Sequence, residues 1–470
     1  MTIFEWIAII SAFIWAINIF KQPKYQRFLT GMTVFFLTSA LLDTFRWQLF
    51  PIIAAAILLL VISIPKKPKK WLNITVRSLS VLLILIGTAL AYFLPVFEFP
   101  TPTGKFSVSK KTMTLIDSTR QEMITEAPDD LREIGLSIWY PSNEVLEKTE
   151  KYLSDGLSAA FAESKGVPAF ALSYFSNIET HTEKDLAFAN GQFPVIILSH
   201  GYIWNAELYN AIIEEIVSQG YIIVGIQHSY EAPLVQLTDR KVKPELAYFQ
   251  RVNANFDFDK FNSLQQEFQL APDSSKLSIM QKMMRSLPYN ESVKRWQNDI
   301  SFVIDELEKR QNEDFFKQLD LDKIAALGHS FGGSAVAQTC AYDNRIKAGI
   351  NMDGAQWGNL IDTIFNVPFL ALYADRDYDS FFTPNFYTYS QVAKNELISV
   401  IIKNAGHANF GDLGYWTPLH QFTETGTIHP NRMNELTTDL ILTFLEKHLE
   451  NKAIDMKEKF KNVEELEFVD

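Results

Sequence analysis

The chain has 470 residues, 47% of them hydrophobic and 21% charged, with a formal net charge of −12. Nine Lys/Arg and three Asp/Glu fall within residues 1–99, leaving 34 basic and 52 acidic residues for the remainder. That acidic remainder argues against a nucleic-acid binder, which needs clustered cations to neutralise phosphate. A lone cysteine, Cys340, rules out an intramolecular disulfide, and no G-x-x-x-x-G-K-[ST] or G-x-G-x-x-G phosphate loop occurs.

In chain order, apolar runs come first, at about 3–20, 28–42, 47–64 and 78–97. A helical span needs roughly 20 apolar residues, which the first, third and fourth runs approach and the second does not. Glu5 stands where the basic n-region of a signal peptide would be. The expectation is an α-helical transmembrane domain of about four spans over 1–98. Lys21, Lys24 and Arg27 lie between the first two runs, and Lys66, Lys67, Lys69, Lys70 and Arg77 between the last two. The positive-inside rule then makes this a multi-pass cell-membrane protein, with everything after Phe97 on the extracytoplasmic side.

From 99 to 470 strand and helix patterns alternate. "LSIWYP" and "FPVIILSHG" read as strands, the second continuously apolar and so buried on both faces. Leu208, Ile212, Ile213, Ile216 and Val217 follow helical spacing up to Gly220, and "YIIVGIQH" is the next strand. Residues 231–290 are polar and too long for an ordinary connection, and are expected to form an insertion or lid. Trp296, Ile300, Val303 and Leu307 form a helical stripe. Strands follow at "KIAALGHS", "KAGINMDG", "VPFLALYADRD" and "LISVIIKNAGH", with a helix over 331–342 and a last one carrying Leu436, Leu440 and Phe444. The fold class expected is α/β, with a mostly parallel, doubly wound sheet.

Within this rhythm "AALGHSFGGSA" sets Ser330 between Gly328 and Gly332, at the junction of a buried strand and a small-residue helix. That is the pattern of a nucleophile elbow, whose tight reversal excludes a Cβ two positions either side of the serine. The helix N-terminus also puts unpaired N–H groups beside a developing oxyanion. Serine needs a base, and in this fold the base follows it in the chain, leaving His407, His420, His429 and His448. His407, in "NAGHANFGD" just past the last strand, fits best. His200 and His228 precede the nucleophile and are assigned to packing or loop ordering. For the acid, Asp353 in "NMDGAQW" and Asp375 or Asp377 in "YADRDYD" both stay open. The oxyanion donors expected are the N–H groups of Tyr202 and Phe331. No H-E-x-x-H or comparable cluster is present, so no metal or other cofactor is expected.

The ordered set "FPVIILSHGYIWNAELYNAIIEEIVSQGYIIVGIQHSYEAP", "GHSFGG", "INMDGAQWG" and "GHANFGDLG" resembles the plasma-type (group VII) platelet-activating factor acetylhydrolase family and its chlorophyllase and polyester-hydrolase relatives, over about 110–450. The resemblance implies an α/β-hydrolase fold and a serine esterase acting on short-chain lipid esters, with Ser330, His407 and Asp353 as triad. It favours Asp353 over Asp375 and assigns the oxyanion hole to Tyr202 and Phe331. Three features depart from the family: Tyr202 where an aliphatic residue is usual, the apolar N-terminal region, and residues 231–290. Two other readings are a general carboxylesterase or acyltransferase, and a membrane receptor or scaffold that uses the hydrolase domain only to bind. The sequence leaves the oligomeric state open.

Overall fold

The computed structural model describes all residues except 1, 18–22, 44–45, 64–68, 128, 255, 377–382 and 470. Lys21, Lys66 and Lys67 of the basic loops and the candidate acid Asp377 lie outside the described residues. The chain divides into two units. The first joins Met1–Glu98 to Phe170–Glu179 and Tyr415–Leu419, and the second holds the rest.

In the first unit the apolar runs become the helices Ile3–Ile17, Pro23–Asp43, Phe50–Ser63 and Lys70–Phe93. Among the described residues only Lys70–Phe93, with 24 residues, is long and apolar enough to cross a membrane. Ile3–Ile17 and Trp47–Ser63 are shorter, and Pro23–Asp43 has the length but opens on Lys24, Gln26 and Arg27. The expectation of four spans is therefore met in length and apolarity by one helix. Inside the unit Ala8, Ala12, Trp15, Ile52, Ala55, Leu59 and Ile84 pack together. Yet Trp6, Ile10, Phe28, Phe35, Ile57, Leu82 and Leu85 face outward, so these helices are apolar on both sides.

The second unit is built on a ten-stranded sheet. Its strands are β1 (Ser107–Gln121), β2 (Leu131–Ser142), β3 (Thr182–Lys184), β4 (Phe193–Ser199), β5 (Ile222–His228), β8 (Leu319–His329), β9 (Ile346–Met352), β10 (Phe369–Ala374), β11 (Leu397–Ile402) and β12 (Leu466–Val469). A separate hairpin pairs β6 (Val235–Gln236) with β7 (Lys241–Val242). Across the large sheet the order is β12-β11-β10-β9-β8-β4-β5-β2-β1-β3. The strands from β11 to β5 are parallel, with antiparallel pairs β11–β12, β5–β2 and β2–β1 outside them. The predicted apolar strands are those of the parallel core, as continuous burial on both faces requires, except that "LSIWYP" lies in the antiparallel β2. β1 was not foreseen, because its run Ser-Val-Ser-Lys-Lys-Thr is polar and half-exposed at the margin of the sheet. Strand order reverses between β4 and β8, so their C-terminal ends open the crevice where open α/β sheets hold their sites.

Residues 231–290 form the hairpin and three helices, Leu246–Ala254, Phe258–Leu270 and Asp273–Ser286. Phe261, Leu264, Phe268, Met280 and Met283 cluster there with Ile361. The insertion thus carries its own small core, which its polar composition concealed.

Beneath the crevice lies a buried ionic network. Arg132 meets Asp299 at 2.6 Å and Glu122 at 2.8 Å, and Asp299 also receives His228 Nδ1 at 2.8 Å. Glu231 accepts from Arg295 at 2.6 Å and from the Trp296 indole at 2.7 Å. Burial alone would raise the Asp299 carboxyl, but Arg132 and the His228 hydrogen bond hold it well below the ordinary carboxylate range. Its contribution to stability is therefore complete above that range and is lost only as pH falls through the depressed value. Asp299→Asn, which leaves Arg132 short of a counter-charge, is expected to cost about 3 kcal/mol. Urea unfolding of the full chain measures this, and a change under about 1 kcal/mol would contradict the ionic role.

Candidate active site

β8 ends at His329 and the helix Phe331–Tyr342 begins two residues later. Ser330 makes the whole turn at φ 53°, ψ −121°, a region a residue with a side chain enters only when its surroundings force it. Those surroundings are backbone. A Cβ on Gly328 would collide with the Gly332 carbonyl, and one on Gly332 with the Ser199 and His200 carbonyls. The Ser330 N–H is spent on Met352 O at 2.9 Å, which ties the turn to the end of β9.

The next residue after β9, Asp353, is fully buried and also has a positive φ, of 53°. Its N–H bonds Leu372 O at 2.7 Å and its Oδ1 accepts from Ala374 N at 3.0 Å. Its other oxygen, Oδ2, takes His407 Nδ1 at 2.6 Å, and His407 Nε2 lies 3.0 Å from Ser330 Oγ. A carboxylate can only accept, so Nδ1 carries the proton and Nε2 is left to accept from the serine. His407 opens a short 3-10 turn, His407–Phe410. Asn409 Oδ1 fixes that turn by accepting from Gly406 N at 2.7 Å and Gly426 N at 2.6 Å.

Asp375 does not reach the imidazole's carboxylate position. Its Oδ2 accepts from Asn404 N at 2.7 Å and its N–H bonds Ala405 O, so it joins the loops after β10 and β11. The other candidate bases are engaged elsewhere. His420 bonds Thr425, His429 caps the helix Pro430–His448, and His448 pairs with Glu396.

The turn Gly201-Tyr202-Ile203 lies against Ser330, a Cβ built on Gly201 falling 3.3 Å from Ser330 Cβ. Gly201 N donates to the Tyr209 hydroxyl at 2.9 Å and Ile203 N to Glu231 O at 3.1 Å. Among the described residues the N–H groups of Tyr202 and Phe331 have no hydrogen-bond acceptor. The Tyr209 hydroxyl donates in turn to His329 Nδ1 at 2.8 Å, and His329 Nε2 donates to His407 O at 3.1 Å. Burial, with His407 next to it, pushes His329 well below the ordinary histidine range, in keeping with the single-proton form this chain of bonds requires. Similarly, burial pushes His200 well below that range and lowers His228. Asp412, just beyond the His407 turn, caps the helix Asn210–Ser218 through Asn210 N and Ala211 N. Burial lifts its carboxyl to about 7 against those donors.

Sequence reasoning missed three participants. His329 occupies the variable position of G-x-S-x-G, and Tyr209 lies beside the helical stripe that begins at Leu208, so neither carries a sequence signal of its own. Arg376 sat unremarked between the two aspartates of "YADRDYD". Its Nη2 pairs with Asp353 Oδ2 and lies 3.5 Å from His407 Nδ1. Among the described residues no group of three or more His, Cys, Asp or Glu is placed to hold a metal ion.

A mostly parallel sheet with this constellation at its switch point is that of a carboxylic ester hydrolase of the α/β-hydrolase fold. A ferulic acid esterase from Streptomyces cinnamoneus shares the fold, with a TM-score of 0.62 over 80% of this chain and 100% of that one, at 22% identity. Residues 95–466 match the family "platelet-activating factor acetylhydrolase, isoform II", and the chain belongs to that family. The dog platelet-activating factor acetylhydrolase is 24% identical over 75% of this chain and 77% of its own length. A probable 1-alkyl-2-acetylglycerophosphocholine esterase of Arthroderma benhamiae is 23% identical over 60% and 66%.

Tyr209→Phe tests the bonded chain between the 201–203 turn and the His407 turn. It strands the buried Gly201 N–H and frees His329 to shift, so ester turnover should fall about ten- to a hundredfold. Steady-state kinetics on a short-chain aryl ester checks this, and an unchanged kcat would show that the chain of bonds positions nothing.

Proposed function

We propose that this protein is a membrane-anchored serine esterase that hydrolyses short-chain carboxylic esters of lipids. The observation carrying the reading is the pair of hydrogen bonds through His407, 3.0 Å to Ser330 Oγ and 2.6 Å to Asp353 Oδ2. Ser330 Oγ attacks the ester carbonyl carbon while His407 Nε2 takes its proton, and Asp353 holds Nδ1–H and balances the imidazolium. The carbonyl oxygen, now negative, is received by the N–H groups of Tyr202 and Phe331. His407 returns its proton to the departing alcohol. A water molecule, deprotonated by the same nitrogen, then attacks the acyl-serine, releasing the acid and restoring the hydroxyl.

The substrate class rests on the names of the relatives, a platelet-activating factor acetylhydrolase and a 1-alkyl-2-acetylglycerophosphocholine esterase. Anchoring rests on the first unit. Lys70–Phe93 has the length and apolarity of a span, and outward Leu, Ile, Phe and Trp side chains on the helices beside it favour contact with lipid over water. On this reading the unit is integral to the cell membrane and multi-pass, its shorter helices inserting with it, and the basic loops keep the esterase unit on the extracytoplasmic side.

Two experiments test these assignments. Asp353→Asn is expected to lower turnover by about 10⁴ while leaving Ser330 in place, and Asp375→Asn to be far milder. Labelling with an organophosphonate probe, abolished by Ser330→Ala, reports the nucleophile independently. A larger loss in Asp375→Asn would move the acid to β10. Protease added to intact cells should cleave beyond Phe97, and complete protection would reverse the topology.

A further inference from the structure

Beside Tyr202 lies a cavity of about 380 Å³, within the size range of small-ligand sites. Ile203, Pro233, Pro244, Leu246, Phe249 and Tyr289 line it, so residues 231–290 build much of its wall. Lys243 and Glu163 also line it, and they pair with each other at 2.8 Å. Apolar walls with a neutralised charge pair suit an uncharged chain rather than a phosphate. Ser330, Phe331 and His407 stand outside the lining.

Tyr202 belongs to both places. Its N–H is free beside Ser330, and its side chain lines the cavity. The ring packs on Phe331, the residue after Ser330, with centres 5.1 Å apart. It also packs on Phe249 and Tyr289 of the cavity wall, at 5.3 Å each. The ring therefore stands as a partition between the elbow and the cavity. Among the described residues its hydroxyl is buried without a hydrogen-bond partner, so no polar contact accounts for the side chain, and what it contributes here is bulk. The partition is also fixed in place. Ile203 holds a positive φ of 54°, which a β-branched residue keeps only where its surroundings impose it. Its N–H is tied to the carbonyl of Glu231, whose carboxylate is anchored by Arg295 and Trp296.

The chemistry decides which part of an ester meets this ring. The alcohol oxygen faces His407 Nε2, from which it takes its proton, and the carbonyl oxygen faces the N–H groups of Tyr202 and Phe331. That leaves the acyl chain to the side away from His407, where the Tyr202 turn lies. We propose that Tyr202 is a specificity-determining residue whose ring closes an acyl-chain cavity formed with the insertion, confining the site to esters of short acids. The inference rests on the reading of Ser330, His407 and Asp353 as the triad.

The test is kcat/KM of the full chain for p-nitrophenyl acetate and p-nitrophenyl octanoate, read as the octanoate-to-acetate ratio. The unmutated chain should strongly favour acetate. Tyr202→Leu keeps the backbone N–H and should raise the ratio about ten- to a hundredfold, because methylenes admitted to an apolar cavity add to binding. Tyr202→Phe keeps the ring and should leave the ratio close to its unmutated value. Ala160 lines the same cavity from the helix Leu157–Ser164, so adding Ala160→Phe to Tyr202→Leu should fill the space and return the ratio toward its starting point. An unmutated chain that takes octanoate as readily as acetate would overturn the inference, whatever any variant does. So would a ratio unmoved in a Tyr202→Leu protein that still hydrolyses acetate, or a gain that survives Ala160→Phe. Acetate hydrolysis that persists in Ser330→Ala would instead remove the reading of the triad, and the inference with it.

Discussion

The fold of the second unit converges on one steric constraint, the reversal of the chain at Ser330. A strand feeding directly into a helix within one residue leaves no room for side chains at the crossing points. Gly328 therefore faces the backbone of Gly332, and Gly332 abuts the carbonyls at the end of β4. Because the elbow is packed against backbone on two sides, it locks the ends of β4, β8 and β9 into one rigid frame. The positive φ of Ser330 is held by those contacts and by the Met352 carbonyl, and the strain it stores is the cost of lifting Oγ clear of the sheet.

Around that frame the chemistry is assembled by hydrogen bonds that each serve two segments. The bonds from Gly201 N through Tyr209 and His329 to His407 O join the turn that faces Ser330 to the turn that carries His407. Below them, His228 Nε2 bonds Ser199 at 3.0 Å and its Nδ1 bonds Asp299. This repeats the serine–histidine–aspartate arrangement in a place where no substrate can reach. All three residues are fully buried and His228 stacks on Trp296 with ring centres 3.8 Å apart. The same three residue types thus make a packing device in one place and a half-buried pair over a buried acid in the other. Access, rather than residue type, separates them.

That distinction explains what the sequence could and could not disclose. The parallel strands were legible because burial on both faces imposes unbroken apolar runs, and Ser330 was legible because the elbow needs glycine at fixed offsets. His407 followed from chain order together with its place just past the last predicted strand. The acid did not, because Asp353 and Asp375 each follow a strand and differ only in where the backbone turns next: one into the crevice, the other across to Asn404. Arg376 was invisible for a related reason. A cation between two aspartates reads as local charge balance until the sheet brings β9 and β10 side by side. β1 and the helices of 231–290 were hidden by polar faces whose apolar partners lie far away in sequence.

The N-terminal unit shows the opposite relation between charge and setting. Glu5, read as an obstacle to a signal peptide, is buried against Arg46, with Nε–Oε1 at 2.7 Å and Nη2–Oε2 at 2.6 Å. Arg46 Nη1 also reaches the carbonyls of Ala91 and Leu94, at 3.3 and 3.4 Å, where the helix Lys70–Phe93 runs out of intrahelical donors. One guanidinium thus binds the start of the first helix to the end of the last. Ser11 and Thr33, 3.0 Å apart, join the first two helices in the same manner. With apolar side chains both inside this bundle and on its outward faces, apolar patterning alone does not say which helix faces meet, and directional bonds of this kind do. The polar residues that interrupt these apolar runs are therefore the ones that specify how the helices pack, which is why they appear in segments that hydropathy alone would leave uniform.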